Sequence, residues 1–355
     1  MKPPTFSIIL PTHNNGRLIE NAITSLLRQT RQDFEVFIVC DGALREGVDS
    51  ARQWARDDSR FIVQEHPKGP GHGEIYRDQA IRQAKGQFIC YLGDDDIWFP
   101  NHLTHMAAAL SSHDFAYSRR FRAAPGGFFS SQRQNGPSLE NRGFRRSSNF
   151  DAKKLFVAGF SASGHTLKSY LALPSGWPTR ARSGLRSYWG MWRTFMADQR
   201  VRVKFIPRIT ALCLPSNLRA CGKRERQIQA RDREAKAWLR LIESQFLRDS
   251  IDDYVLNTHG PRWTLELLAD CGFRRLVLAK SRKKTVKIHA TGHLRDAVYV
   301  YANKNPSASH AAELDAIIQS LRQEGLTPDN QETGLSSAAH VSLLRAIFPQ
   351  IEERW

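Results

Sequence analysis

The chain has 355 residues, with 52 Lys and Arg against 35 Asp and Glu for a formal net charge of +17, and 41% hydrophobic residues. This length and apolar content exclude a disordered chain and suffice for one large domain with an appended region, or for two domains. No run approaches the roughly 20 apolar residues of a membrane-spanning helix, and the first residues lack the apolar stretch of a signal peptide, so a cytoplasmic location is expected. The five cysteines, at 40, 90, 213, 221 and 271, lie far apart and form no C-x-x-C pair, which speaks against a disulfide framework or a zinc site. The basic balance favours an anionic partner without defining one.

Residues 6–10 (FSIIL) read as a buried strand that stops at Pro11, and residues 17–29 place Leu18, Ile19, Ala22, Ile23, Leu26 and Leu27 at helical spacing after capping residues Asn14 and Asn15. Further strands are expected at 34–39, 61–64 and 87–92, separated by helices running to Arg56 and over 76–84, with a glycine-rich loop at 67–73. Strands alternating with helices argue for a parallel sheet covered on both faces, with ligands bound beyond the carboxyl ends of its strands. The polar residues collect there: Thr12, His13 and Asn14 after the first strand, Asp41 after the second, and Asp94, Asp95 and Asp96 after the fourth. Downstream, the pattern predicts a strand at 114–122, a long loop at 126–148, helices at 165–172 and 185–197, and a strand at 201–206. Composition breaks near Asn217. Residues 222–248 read as one long amphipathic helix with Ile228, Ala235, Trp238, Leu239, Ile242, Phe246 and Leu247 toward a partner surface, and short pieces with two closing helices, at 311–323 and 337–348, follow.

Three consecutive aspartates at a strand end repel one another, and a divalent cation on diphosphate oxygens would offset that repulsion; a solvated helix start at Asp96 accounts for them equally well. The segments FSIILPTHNN, EVFIVCDGA, RDQAIRQAKGQFICYL and GDDDIWFPNHL, in this order, resemble the successive motifs of the family 2 inverting glycosyltransferases with the GT-A fold. The resemblance implies an α/β fold with a Rossmann-like mixed sheet and helices on both faces, over residues 1–216, divided into a nucleotide-sugar-binding half (1–110) and an acceptor half (111–216). Residues 217–355 would be a helical or α+β extension.

Carried over position by position, the resemblance puts Pro11, Thr12 and His13 on the nucleoside pocket, Asp41 on the base, Arg77 on the donor nucleotide and Asp94 near the ribose. Asp95 would bind Mn²⁺ or Mg²⁺, with Asp96 as a second ligand. Cys40 and Gly93 stand where the family has acids. The catalytic base is less regular: Tyr188 occupies the expected Asp position, and His165 matches a histidine facing the acceptor, with a hydrogen-bonded core or pocket-lining role as its alternative; Asp198 reads as a turn cap. The implied activity is transfer of a sugar from a nucleoside-diphosphate donor to a glycan or lipid-linked acceptor in surface polysaccharide, lipopolysaccharide or glycoconjugate assembly. Basic stretches at 119–122, 142–146 and 280–284 could meet an anionic membrane at its inner face, and a homo-oligomer is compatible with the long helix. A sugar-nucleotide-binding protein without transfer activity is the second reading. Nucleic acid ranks below both, since no zinc-finger spacing, RNP-like strand or recognition helix is present.

Overall fold

The computed structural model describes residues 3–122, 158–179, 183–184, 187–214 and 224–242. All of these lie in one compact unit. Its strands are β1 (Phe6–Thr12), β2 (Phe34–Asp41), β3 (Phe61–His66), β4 (Phe88–Tyr91), β5 (Asp96–Trp98), β6 (Phe115–Arg122), β7 (Ser163–Thr166) and β8 (Val203–Cys213). The helices are α1 (Ile19–Leu27), α2 (Arg45–Asp57), α3 (Glu74–Gln83), α4 (His102–Leu110), α5 (Leu167–Leu171), α6 (Ser187–Ala197) and α7 (Arg224–Leu241), with 3-10 turns at Gly16–Leu18 and Phe160–Ala162.

The strands form one sheet in the order β3-β2-β1-β4-β7-β6-β8-β5. The first four are mutually parallel, with Thr12 opposite Cys40 and Ile9 opposite Tyr91, so the ends of β1, β2 and β4 reach the same edge. Beyond β4 the sheet turns mixed: β7 runs antiparallel to β4 and β6, β8 parallel to β6, and β5 antiparallel to β8. The wholly parallel sheet suggested by strand–helix alternation therefore holds for one half, and the mixed sheet implied by the resemblance describes the whole.

Both faces are covered, which is why the strands read as continuous apolar runs. Alternation along β1 sends Phe6, Ile8 and Leu10 to one face, where they meet Ile19, Ala22, Ile23 and Leu26 of α1 and Leu103 and Met106 of α4. Ile9, Val39, Ile89 and Tyr91 face the other side, against Ala80 and Ile81 of α3 and Met191, Trp192 and Phe195 of α6. Each fully buried Ile, Leu, Val, Phe or Met side chain among these contributes about 1.5–3 kcal/mol.

Three local differences from the sequence reading have physical causes. Strands β5 and β7 carry three and four residues, too few to show a period, and the helix expected from residue 165 begins only at Leu167, leaving His165 on a strand. Strand β8 continues through Pro207 because its pairing with β6 skips from Ile206 to Ile209, a bulge that spares the ladder the missing N–H. Helix α7, placed by composition in a separate region beyond residue 216, packs against α1 and the Gly16–Leu18 turn: Asn21 Nδ2 donates to Asp232 Oδ1 at 2.8 Å, and an Arg28 guanidinium nitrogen to the Leu239 carbonyl at 3.1 Å. Ala235, Trp238, Leu239 and Ile242 are buried there as expected, so the surface they meet belongs to the chain itself. The loop at 126–148, the basic stretches at 142–146 and 280–284, Phe246, Leu247 and everything expected beyond residue 243 lie outside the described residues. Arg120, within the third basic stretch, is buried on β6 rather than solvated. Among the described residues no helix is long and apolar enough to cross a membrane.

Candidate donor site at the strand ends

The polar residues at the ends of β1, β2 and β4 form two connected groups. In the first, Asp41 closes β2 with 4% exposure. Its Oδ1 accepts from the Gly69 N–H at 2.7 Å and its Oδ2 from Lys68 Nζ at 2.8 Å. The glycine-rich segment thus folds over Asp41 as a cradle. Gly73 begins α3 at φ +74°, and a Cβ there would stand 3.0 Å from the Asp41 carboxylate, so this position needs both the left-handed backbone and the missing side chain. Cys40 turns the opposite way into the core, where burial pushes its thiol up to about 12. Pro11 and His13 line the β1 side, half-buried, with His13 Nδ1 at 3.0 Å from the Gly42 carbonyl.

The second group is built on the aspartate triplet. Thr12 Oγ1 donates to Asp94 Oδ2 at 2.7 Å, and Asn15 Nδ2 donates to Asp94 Oδ1 at 2.6 Å. Burial raises the Asp94 carboxyl against those two hydrogen bonds. Asp96 accepts from Ser161 Oγ at 2.5 Å and from the Leu214 N–H at 3.0 Å; burial, with the Asp95 charge beside it, pushes it up to about 6. Asp95 Oδ2 meets an Arg231 guanidinium nitrogen at 2.5 Å, and another nitrogen of Arg231 donates to Asn15 Oδ1 at 2.9 Å. At Gly93 a Cβ would lie 3.2 Å from Asp96 Oδ2 and 3.5 Å from Asp95 Oδ1, so an acid in this position would crowd a site already rich in carboxylate.

These contacts test the expected metal ligands. Asp96 accepts one hydrogen bond at each oxygen and so fastens the β4–β5 turn to Ser161 and to the end of β8. Asp95 is the more open carboxylate, with 20% of its side chain exposed and a cation already against it. Hard oxygen ligation of Mg²⁺ or Mn²⁺ by one carboxylate plus substrate phosphates needs no more than this. Among the described residues no group of three or more His, Cys, Asp or Glu could hold a metal ion. Asp95 fits a divalent ion as a single protein ligand, with water and donor phosphates completing the shell.

Two other expected site residues are buried. His165 is fully buried on β7, its Nε2 at 2.5 Å from the Tyr91 hydroxyl and its Nδ1 at 3.0 Å from the Thr166 carbonyl, packed between Tyr170 and Phe195. Burial drives its pKa down to about 3, so the ring is neutral and sealed from an acceptor. Arg77 is also buried; it donates to Ser187 Oγ at 2.9 Å and to the His72 carbonyl, and lies over the rings of Phe160 and Trp177. That arrangement ties α3 to the start of α6, with Asp41 and Asp94 near enough for their charges to act on the guanidinium. Tyr188 sits half-buried at the start of α6, its ring against Phe160, Trp189 and Trp192. Asp198 caps the turn before β8 through the Arg200 N–H, as expected.

Sequence reading missed Asn15, Lys68, Ser161 and Arg231. Asn15 was expected as a helix cap, but its side chain makes no capping bond and serves Asp94 and Arg231 instead. Arg231 carried a usable signal: it falls in register with Ala235, Trp238 and Ile242 on the buried stripe of α7, where a charge requires a partner.

Residues 7–166 match the model of the family described as Glycosyl transferase family 2. The UDP-Glc:alpha-D-GlcNAc-diphosphoundecaprenol beta-1,3-glucosyltransferase WfgD of Escherichia coli is 29% identical over 115 residues, covering 31% of this chain and 43% of that protein. The GalNAc(5)-diNAcBac-PP-undecaprenol beta-1,3-glucosyltransferase of Campylobacter jejuni is 31% identical over 96 residues, covering 26% of this chain and 30% of the relative. The chain thus spans less than half the length of these relatives. The crystal structure of S. aureus TarS 1-349 in complex with UDP-GlcNAc aligns at 15% identity and a TM-score of 0.45 over 72% of each chain.

Proposed function

We propose, from the match of residues 7–166 to the model of glycosyl transferase family 2, that this chain transfers a sugar from a nucleoside-diphosphate donor to a hydroxyl of a glycan or lipid-linked acceptor, with inversion at the anomeric carbon. The observation that carries this reading is the meeting of Thr12, Asp41 and the Asp94–Asp96 run at one sheet edge, each held by named donors. In this reading Asp41, fixed by Lys68 and Gly69, accepts from the base, Pro11 and His13 wall the nucleoside, and Asp94, oriented by Thr12 and Asn15, faces the ribose. Asp95 would hold Mn²⁺ or Mg²⁺, which when bound supplies positive charge to the departing diphosphate. Tyr188 is the acceptor-side residue kept from the sequence reading; the acceptor proton does not go to His165, whose ring is buried and already bonded at both nitrogens. The names of the E. coli and C. jejuni relatives carry undecaprenyl-diphosphate-linked acceptors, which supports a lipid-linked acceptor and work at a membrane surface.

Incubation with UDP-, GDP- and dTDP-sugars, Mn²⁺ and polyprenyl-diphosphate-linked sugars, read by mass spectrometry, tests this. A glycosylated product with one donor is expected, and its absence alongside a donor-induced rise in melting temperature would instead establish the binding-only reading, which the burial of His165 favours. Neither product nor shift would sink both.

A further inference from the structure

We propose that Arg231 is an exchangeable counter-ion of the donor site: it neutralises Asp95 while no donor is bound, and passes to the diphosphate oxygens of the donor when a divalent cation takes Asp95. The inference rests on the donor-site reading above and adds to it a residue from outside the matched stretch. Its first support is the accounting of partners. Asp94 and Asp96 are satisfied by neutral donors, Thr12 and Asn15 for one and Ser161 and the Leu214 N–H for the other. Asp95 is the carboxylate of the three that meets a charge directly, and that charge can be exchanged for another.

The second support is the state of the guanidinium. The Arg231 side chain is 7% exposed, and its Nε is buried with no hydrogen-bond partner among the described residues. A buried donor without a partner costs about 1–3 kcal/mol, so this guanidinium has hydrogen-bonding capacity to spare. Its flat fork suits phosphate oxygens as well as it suits a carboxylate.

Charge supplies the third. Among the described residues Arg231 pairs with Asp95, and its charge also reaches Asp94, which stands beside Asp96. A diphosphate would meet the like charge of these carboxylates, and a divalent cation on Asp95 would offset it and release Arg231. The helix need not move for the exchange, since α7 is anchored on α1 through Asp232 and the Leu239 carbonyl, and the long Arg231 side chain can swing alone. Competition between guanidinium and metal for Asp95 is reciprocal, so deleting one strengthens the binding of the other.

The test is Mn²⁺ binding by electron paramagnetic resonance and nucleotide binding by calorimetry on the full chain, comparing wild type with Arg231→Met and Arg231→Lys, each first checked for a wild-type circular-dichroism spectrum. For Arg231→Met the expected result is a pair of opposite changes: Mn²⁺ alone binds about tenfold more tightly, and the nucleoside diphosphate at saturating Mn²⁺ binds about tenfold more weakly, while the parent nucleoside is unaffected. Arg231→Lys, which keeps the charge and loses the fork, should fall between and serves if the methionine variant does not fold. Unchanged or weaker Mn²⁺ binding in both variants would make Arg231 purely structural and overturn the proposal. Tight Mn²⁺-independent diphosphate binding that is lost in both would overturn it too, by making Arg231 a permanent substitute for the metal. A wild-type chain that binds Mn²⁺ but none of UDP, GDP or dTDP would refute the donor-site reading itself, and is distinguished by the intact manganese signal.

Discussion

At the ends of β1, β2 and β4 the charged and polar side chains face one another and a partly open edge; under β4, β7 and α6 the polar groups are enclosed by rings. Asp41, Asp94 and Asp95 belong to the first region, His165 and Arg77 to the second. Both regions contain residue types that suit catalysis, yet their surroundings divide them. At the edge each carboxylate is oriented by short hydrogen bonds from neighbouring segments, and Asp41 and Asp95 each meet a cation, Lys68 and Arg231. Beneath it, desolvation has pushed His165 down to about 3, and aromatic faces flank Arg77. A titratable side chain is an instrument of chemistry only where the ligand can reach it, and packing decides that.

The comparison can be broken most forcefully at Asp95. Asp95→Ala leaves Arg231 buried without its carboxylate and should cost about 3 kcal/mol in chemical denaturation, with loss of Mn²⁺-dependent donor binding. The double variant Asp95→Ala with Arg231→Met should regain most of that stability and none of the binding.

His165→Gln tests the other region. It should cost about 1–3 kcal/mol through the bonds to Tyr91 and Thr166, lowering the melting temperature by several degrees, while transfer per folded molecule stays within about twofold. A collapse of turnover at unchanged stability would return His165 to the chemistry. Its pH signature has a definite sign. The folded-state value lies near 3 against 6.5 for the free ring, so the unfolded chain binds the extra proton first. Stability is then full above about pH 6.5 and is lost as pH falls toward 3, and this slope should flatten in the variant.

Gly73→Ala should have a smaller effect, about 1 kcal/mol for the left-handed backbone, with nucleoside affinity reduced by contact with Asp41 and inorganic diphosphate affinity unchanged. Lys68→Ala, which removes a partly exposed pairing, should cost less than about 1 kcal/mol and shift nucleotide affinity about twofold, both read by calorimetry and denaturation.

The parallel half of the sheet was legible because its strands are long, apolar and interleaved with helices of clear period, and the donor-side residues follow those strands directly. The mixed half was harder to read. A strand as short as β7 has no period, and the residue type of His165 says nothing of the Tyr91, Tyr170 and Phe195 side chains that surround it. Asp96 illustrates the same limit at the edge itself: its place in the triplet suggested a metal ligand, and nothing there announced its hydrogen bonds to Ser161 and Leu214, both distant in sequence. Arg231 lay beyond the composition break, and only its position on the apolar stripe of α7 marked it.

Calorimetric titration of UDP, GDP and dTDP, each with Mn²⁺, into the wild-type chain and into Asp41→Asn tests the central claim most directly, that the ends of β1, β2 and β4 form a nucleoside-diphosphate site. The expected result is one-to-one binding of one nucleotide, weakened at least tenfold in the variant at unchanged fold; equal binding by both proteins, or none by the wild type, would contradict it.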